Sequence, residues 1–245
     1  MERATASPEN IKNPTILIVD DQIDNIQVLT LFLETQGYSV TYALSAKDTL
    51  QRLNAIQPDL ILLDLFMPDI NGLELCKQIK EKPTCHDIPV IFLTASHDER
   101  HVITAFEQGA ADYMTKPFNA KEVLARAKTH IKLRQKTIEL QQAKEQLNII
   151  VTHVQDGLIV IDKTGVIQFV NPAAAQMFKQ PVDLLLGEDI GQPLVERHLT
   201  QIEILRLNGE VGIAEITVAQ TTWNNQPASI ICLRDISDRQ ATEET

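Results

Sequence analysis

The sequence predicts two domains joined by a long helix: an α/β domain on a five-stranded parallel sheet, then an α+β domain with an antiparallel sheet. Three observations predict this. Between Thr15 and Met114, short β-rich apolar runs alternate with amphipathic stretches of helical length, the pattern of a parallel sheet covered on both faces. From Asn119 to Val154 there is neither glycine nor proline, which allows one helix of about 36 residues, about 54 Å long. After Asp156 the apolar runs are separated by hairpin turns, as in antiparallel structure. A chain of 245 residues has room for two ordinary domains.

Taken in order, residues 1–14 are polar with two prolines and read as a flexible tail. Strands are expected at Ile16–Val19, Tyr38–Ala43, Leu60–Leu63, Val90–Leu93 and Ala110–Met114. Gly37 is placed to end the first helix as its C′ residue, Ser45-x-x-Asp48 to cap the second, and Asn119-x-x-Glu122 to open the fifth. The start of that fifth helix has Leu124, Ala127 and Ile131 on one stripe, suited to covering the sheet. The stripe then changes face. Leu133, Leu140, Leu147 and Val154 recur every seven residues, with Ala143 and Ile150 three after their predecessors and Lys136 as the charged exception. This is an a/d seam, and it predicts a parallel homodimer through a coiled-coil linker at 131–155. In the second domain, 156–236, Gly157–Ile161 and Val166–Val170 flank the turn Asp162-Lys-Thr-Gly165. Asn171-Pro172 then caps a short helix, Ala173–Phe178. Strands near Ile202–Leu207, Val211–Thr221 and Ala228–Leu233 follow, with Asn224-Asn225 at a hairpin turn. Ser237-x-x-Gln240 is a capping box, so 237–245 read as the start of an output helix that is cut short, which suggests either a chain that continues or an artificial boundary.

Composition narrows the function. With 22 basic against 33 acidic residues, the net charge is −11, which disfavours nucleic acid as a partner. No apolar run reaches the roughly 18–20 residues of a membrane span, so no membrane association is expected. Three widely spaced cysteines, Cys76, Cys85 and Cys232, offer neither a disulfide framework nor a thiolate zinc site. A cytoplasmic location follows.

The chemistry is concentrated in the first domain. Asp20 and Asp21 follow the first strand, Asp64 the third, Thr94 ends the fourth and Lys116 follows the fifth. In an open parallel sheet these ends face one crevice. Clustered carboxylates repel each other, and a hard divalent cation such as Mg²⁺ relieves that repulsion. Beside the metal and Lys116, Asp64 could offer a nucleophilic oxygen to a phosphoryl group. A phosphatase that turns over an aspartyl phosphate needs an acid two residues past its nucleophile. Asp64 is followed there by Phe66 and Asp20 by Gln22, so the pattern favours a stored phosphate and a switch over an enzyme.

The segments ILIVDD (16–21), LILLDLFMPDINGLEL (60–75), VIFLTA (90–95) and ADYMTKPF (111–118) resemble the receiver domain of two-component response regulators, over about residues 15–130. The resemblance implies a flavodoxin-like sheet, a phosphorelay function, Asp64 as phosphoacceptor and a histidine kinase as phosphoryl donor. It implies that Asp20, Asp21, Asp64 and the Phe66 backbone carbonyl hold Mg²⁺. Lys116 and Thr94 would contact the phosphoryl oxygens, with Tyr113 as the switch aromatic. Met67-Pro68 and Gly72 match the loop after the acceptor.

DGLIVIDKTGVIQFVNPAAAQMF (156–178) and LRDIS (233–237) resemble a PAS domain, over about residues 145–236. No haem or flavin is expected there: the reactive-cysteine flavin signature is absent, and His198 is a lone histidine more in keeping with a surface position than an axial ligand. Neither His130 nor His153 has the acidic and arginine context of a phosphorylated kinase histidine. Within 1–245 the expected role is therefore a response regulator whose phosphorylation switches a dimeric helix–PAS module. Two alternatives stay open. One is the regulatory N-terminal part of a hybrid histidine kinase or cyclic-dinucleotide enzyme, and the other is a PAS sensor of a small ligand.

Overall fold

The computed structural model describes residues 13–68, 70–94, 99–117, 119–191, 200–206 and 209–237. Most of the N-terminal tail, Asp69, Ala95, Phe118, His198, Leu207 and all but the first residue of the 237–245 segment lie outside the described residues. The chain divides into two compact units between Leu140 and Gln141.

The first unit alternates β1 (Thr15–Val19), α1 (Ile23–Thr35), β2 (Ser39–Ala43), α2 (Ala46–Ala55), β3 (Leu60–Asp64), α3 (Gly72–Glu81), β4 (Val90–Thr94), α4 (Glu99–Glu107) and β5 (Asp112–Thr115) before α5 (Ala120–His153). Its strands are parallel in the order β2-β1-β3-β4-β5. Successive residues of each strand enter opposite cores. Leu17, Val19, Ile61 and Leu63 meet Leu53 of α2 and Leu75 and Ile79 of α3. Ile16, Ile18, Leu60 and Leu62 meet Leu29 and Leu33 of α1 and Ala127 and Ile131 of α5. Burial on both faces is why the central strands are uninterrupted apolar runs.

The predicted punctuation is present. Gly37 has φ +86°, its N–H donates to the Glu34 carbonyl, and the Tyr38 N–H donates to the Leu33 carbonyl, which is a full Schellman ending. The Ser45 hydroxyl accepts from the Asp48 N–H at 3.1 Å, and Asn119 Oδ1 accepts from the Lys121 N–H at 2.9 Å. The fifth strand begins at Asp112 rather than Ala110. On α5 the buried row is Val123, Ala127 and Ile131; Leu124 is only half-buried. Steps of four residues carry that row obliquely across the helix, and Leu124 lies about 100° round from it.

A second stripe with the same spacing carries nitrogen-bearing side chains. Arg126 pairs with both Asp112 oxygens at 2.8 and 2.7 Å, and His130 Nε2 lies 3.2 Å from Asp112 Oδ2. Arg134 donates to the Pro58 carbonyl at 3.0 Å and to Asp59 Oδ1 at 3.2 Å. Burial raises the Asp112 carboxyl, but Arg126, the Tyr113 N–H and His130 outweigh it and hold the group below the usual carboxylate range. A depressed carboxylate contributes stability that is present above its unfolded pKa and lost as pH falls through the folded one. Asp112→Asn should therefore destabilise this unit by about 1 kcal/mol at neutral pH, allowing for solvent around Arg126. The difference should close as the pH drops below ~4. Urea unfolding across that range measures it.

In the second unit the order is β6 (Gly157–Asp162), β7 (Ile167–Val170), α6 (Pro172–Phe178), α7 (Val182–Leu185), β8 (Thr200–Leu205), β9 (Val211–Trp223) and β10 (Gln226–Asp235). The strands form an antiparallel sheet in the order β7-β6-β10-β9-β8. Ile159, Ile161, Ile216, Val218, Ile231 and Leu233 face the core under α6 and α7. Asn224 and Asn225 both have positive φ, 49° and 61°, the conformation that lets a two-residue turn follow the twist of β9 and β10. The strand expected at Ile202–Leu207 lies earlier, at Thr200–Leu205, and β9 extends two residues further than expected.

Between the two, α5 is continuous for 34 residues. All residues from Gln135 to Ile150 are exposed, including the seam positions Leu140 and Leu147. Leu133 is exposed too, and Val154, half-buried, falls just past the helix end. No helix among the described residues is long and apolar enough to cross a membrane.

Candidate functional site

The crevice lies where β1 has β2 on one side and β3 on the other, so the connections leave in opposite directions and the strand ends stay open. Asp20 directly follows β1 and is fully buried; Asp64 ends β3 and is 4% exposed. Ligand atoms of Asp20, Asp21 and Asp64 all lie within 4.8 Å of one another. The Lys116 ammonium reaches in from the segment after β5, 2.8 Å from Asp20 Oδ2 and 3.0 Å from Asp64 Oδ2. The backbone holds it there, since the Lys116 N–H donates to the Thr94 carbonyl at 2.6 Å. Thr94 itself is buried at the end of β4. Tyr113 on β5 packs against the α3-side core and makes an edge-on contact with Phe106 at 6.1 Å.

Three carboxylates and one ammonium leave two uncompensated negative charges in a confined site. Burial raises the Asp64 carboxyl, the Lys116 hydrogen bond and charge pull it down, and the Asp20 carboxylate adds to the rise; the net direction is up. Burial lowers Lys116, but hydrogen bonds to Asp20 and Asp64 outweigh it and raise the ammonium. The asymmetry is physical, because Lys116 has two carboxylates to itself while each carboxylate shares one cation. Among the described residues, Asp21 Oδ1 is a buried oxygen with no hydrogen-bond partner. An orphaned anionic oxygen beside two more carboxylates fits a hard, oxygen-loving cation, and Mg²⁺ suits this donor set.

Asn25 was not legible in the sequence as a site residue, and for Gly72, which the resemblance places in the loop after Asp64, the structure adds the physical reason. Asn25, on the first turn of α1, donates its amide to both Asp20 oxygens at 3.1 and 3.0 Å and so fixes the carboxylate plane. Gly72, which opens α3, packs against the end of β3: a Cβ there would lie 2.4 Å from the Asp64 carbonyl oxygen. Only glycine permits that approach, and the Gly72 N–H donates to the Leu65 carbonyl at 2.9 Å. Phe66 is 48% exposed, and its N–H donates to Asp64 Oδ1 at 3.3 Å.

Residues 16–128 match the family model of the response regulator receiver domain, and residues 145–213 match that of the PAS domain. The chain carries a receiver domain and, after it, a PAS domain. The receiver is similar to the alkaline phosphatase synthesis transcriptional regulatory protein PhoP of Bacillus subtilis (strain 168), 40% identical over 116 residues that make up 47% of this chain and 48% of that one. The chain thus spans about half the length of that curated relative. Among solved structures it is similar to the Francisella response regulator 1452 receiver domain, at 31% identity with 49% of this chain and 98% of that one covered and a TM-score of 0.46. It is also similar to the signal receiver domain of a signal transduction histidine kinase from Syntrophus aciditrophicus, at 34% identity with 49% and 90% covered and a TM-score of 0.46. The aspartate cluster of the receiver is consistent with the Mg²⁺ site of such domains.

In the PAS domain, a buried asparagine organises the junction with α5. Asn171 Oδ1 accepts from the N–H groups of Leu158 and Ala174 at 2.8 and 2.9 Å. Its amide donates to the carbonyls of Val151 and Asp156 at 3.3 and 3.0 Å. The sequence marks Asn171 as a helix cap, which it is; its bonds to α5 and the linker are a tertiary addition.

Proposed function

We propose that this protein is a phosphoryl-accepting switch in which Asp64 takes a phosphoryl group from a phosphohistidine of a partner histidine kinase. The observation that carries this reading is the Lys116 ammonium bridging Asp20 and Asp64 beside the orphaned Asp21 oxygen. An Asp64 oxygen attacks phosphorus, the donor P–N bond breaks, and the imidazole leaves with the bonding pair and takes up a proton. Lys116 faces the oxygens on which charge gathers. Asp20, Asp21 and Asp64, with the Phe66 carbonyl, would hold Mg²⁺, which when bound neutralises charge on the transferring group. Thr94 and Tyr113 carry the change to the α4–β5 side, and α5 carries it to the PAS domain, with a parallel dimer along Leu133, Leu140, Leu147 and Val154. The proposed boundaries are 15–130 for the receiver, 131–155 for the linker and 156–236 for the PAS domain. Free thiols at Cys76, Cys85 and Cys232 agree with a cytoplasmic location. A small acyl phosphate with Mg²⁺ should transfer one phosphoryl group per chain, and chelating the metal should stop transfer. Absence of labelling in Mg²⁺ would sink the reading.

The lifetime of the phosphorylated form is expected to depend on Phe66. Hydrolysis needs water in line with the Asp64 oxygen, and a bulky apolar ring two residues on excludes water and offers no bond to orient it. Phe66→Asn should speed decay about 10-fold, equivalent to about 1.4 kcal/mol in barrier. Equal decay of the two labelled proteins would show that the ring plays no part.

A further inference from the structure

Asp20 is heavily committed within its own site. It is fully buried, and each of its oxygens faces two donors. Oδ1 accepts from the Gln22 N–H at 2.8 Å and from the Asn25 amide at 3.1 Å. Oδ2 accepts from the same Asn25 amide at 3.0 Å and from Lys116 Nζ at 2.8 Å. Two donors per oxygen match the capacity of an ionised carboxylate, which offers about four lone-pair sites. Asp21 stands at the opposite extreme, since its buried Oδ1 has no partner, although ligand atoms of Asp20, Asp21 and Asp64 all lie within 4.8 Å of one another. The neighbouring carboxylates are therefore unequal. A cation arriving here finds Asp21 open and Asp20 closed.

We propose that Asn25 is a positioning residue for the metal: its amide, set across both Asp20 oxygens, keeps Asp20 out of direct coordination, so that Asp21 and Asp64 bind the ion and Asp20 reaches it only through water. The inference rests on the Mg²⁺ site proposed above and adds to it the residue that separates Asp20 from the two carboxylates that bind. Neither other donor does this. Lys116 touches a single Asp20 oxygen and is shared with Asp64 at 3.0 Å, and the Gln22 N–H reaches Oδ1. Asn25 spans both oxygens and projects from the first turn of α1, a helix anchored on the sheet by Ile26, Leu29 and Leu33. Coordination chemistry explains what the amide achieves. Mg²⁺ demands near-octahedral geometry, gives up its waters reluctantly and is usually held by one or two carboxylates, whereas Ca²⁺ accepts six to eight oxygens in a looser arrangement. A third carboxylate free to swing onto the ion would favour the larger cation. It would also take a position that a phosphoryl oxygen has to fill.

Calorimetric titration of the whole protein with Mg²⁺ and with Ca²⁺ measures the balance. Asn25→Ala should shift it toward Ca²⁺ by about fivefold or more, since a freed Asp20 adds an oxygen ligand that Ca²⁺ accommodates more readily. With Mn²⁺ as probe in place of Mg²⁺, the waters on the ion can be counted from solvent proton relaxation, and the variant should carry roughly one fewer. Both changes act through the Asp20 carboxylate, so in an Asp20→Asn background Asn25→Ala should alter neither. A role confined to supporting the start of α1 predicts something else: lower thermal stability in both backgrounds, with the same cation balance and water count. That result overturns the proposal. Should Asn25→Ala fail to fold, Asn25→Leu keeps the volume, lacks the donor and makes the same measurement. A parent protein that takes up no divalent cation overturns the metal site and this proposal with it. A parent that binds Mg²⁺, with the balance unchanged in the variant, overturns the role of Asn25 and leaves the metal site standing.

Discussion

Asp64→Asn should abolish phosphoryl incorporation. Asparagine keeps the shape of the side chain and an oxygen that can accept from Lys116 Nζ, now 3.0 Å from Asp64 Oδ2. It removes the anionic oxygen that must bond to phosphorus, and an amide is not a competent nucleophile there. The loss should be complete, below about 1% of the parent stoichiometry, on the scale expected when a nucleophile is removed from a group-transfer site. Loss of folding would not account for it. Burial and the neighbouring Asp20 raise the Asp64 carboxyl despite Lys116, so folding disfavours its charged form, and a neutral isostere should leave thermal stability near neutral pH equal or higher. Acyl-phosphate labelling followed by peptide mapping makes the measurement. A label on the Asn variant at parental stoichiometry, or on a peptide carrying Asp20 and Asp21 instead, would move the acceptor elsewhere.

Asn171→Ala should be the most damaging single change in the PAS domain. The side chain is fully buried and uses its amide completely, accepting from Leu158 and Ala174 and donating to Val151 and Asp156. Truncation leaves two N–H groups and two carbonyls unpaired and removes the cap of α6. Unsatisfied buried groups cost about 1–3 kcal/mol each, less where the main chain can relax or water can enter, so a loss of about 3–5 kcal/mol is expected. For a domain of this size that lowers the PAS melting transition by roughly 12–25 °C. The receiver transition should not move, because the change lies in the other compact unit. Two resolved calorimetric transitions would show this; an unchanged PAS transition would mean that water replaces the amide at little cost.

The strands and helices could be read before the structure because their causes are local. Apolar runs, the Gly37 ending, the Ser45 and Asn119 caps and the Asn224-Asn225 turn each depend on a few neighbouring residues, and each is where its pattern puts it. The candidate site was legible for a related reason. Strand ends in a parallel sheet share one edge, so Asp20, Asp64, Thr94 and Lys116 could be assigned to one crevice from their positions after apolar runs. What lay beyond reach is set by neighbours distant in the chain. The Lys116 ammonium bridges carboxylates 52 and 96 positions away, and no local pattern says that it stands between them. Val123 rather than Leu124 joins the buried row of α5, because the orientation of the helix on the sheet, not its own periodicity, chooses the face. Asn25, Gly72 and Asn171 owe their contacts to the approach of separate elements: a helix turn to Asp20, a helix start to the Asp64 carbonyl, a cap to the end of α5. Local sequence determines which backbone shapes are cheap, and only tertiary packing decides which buried polar groups meet, since a partner from another element must replace the water that each group loses.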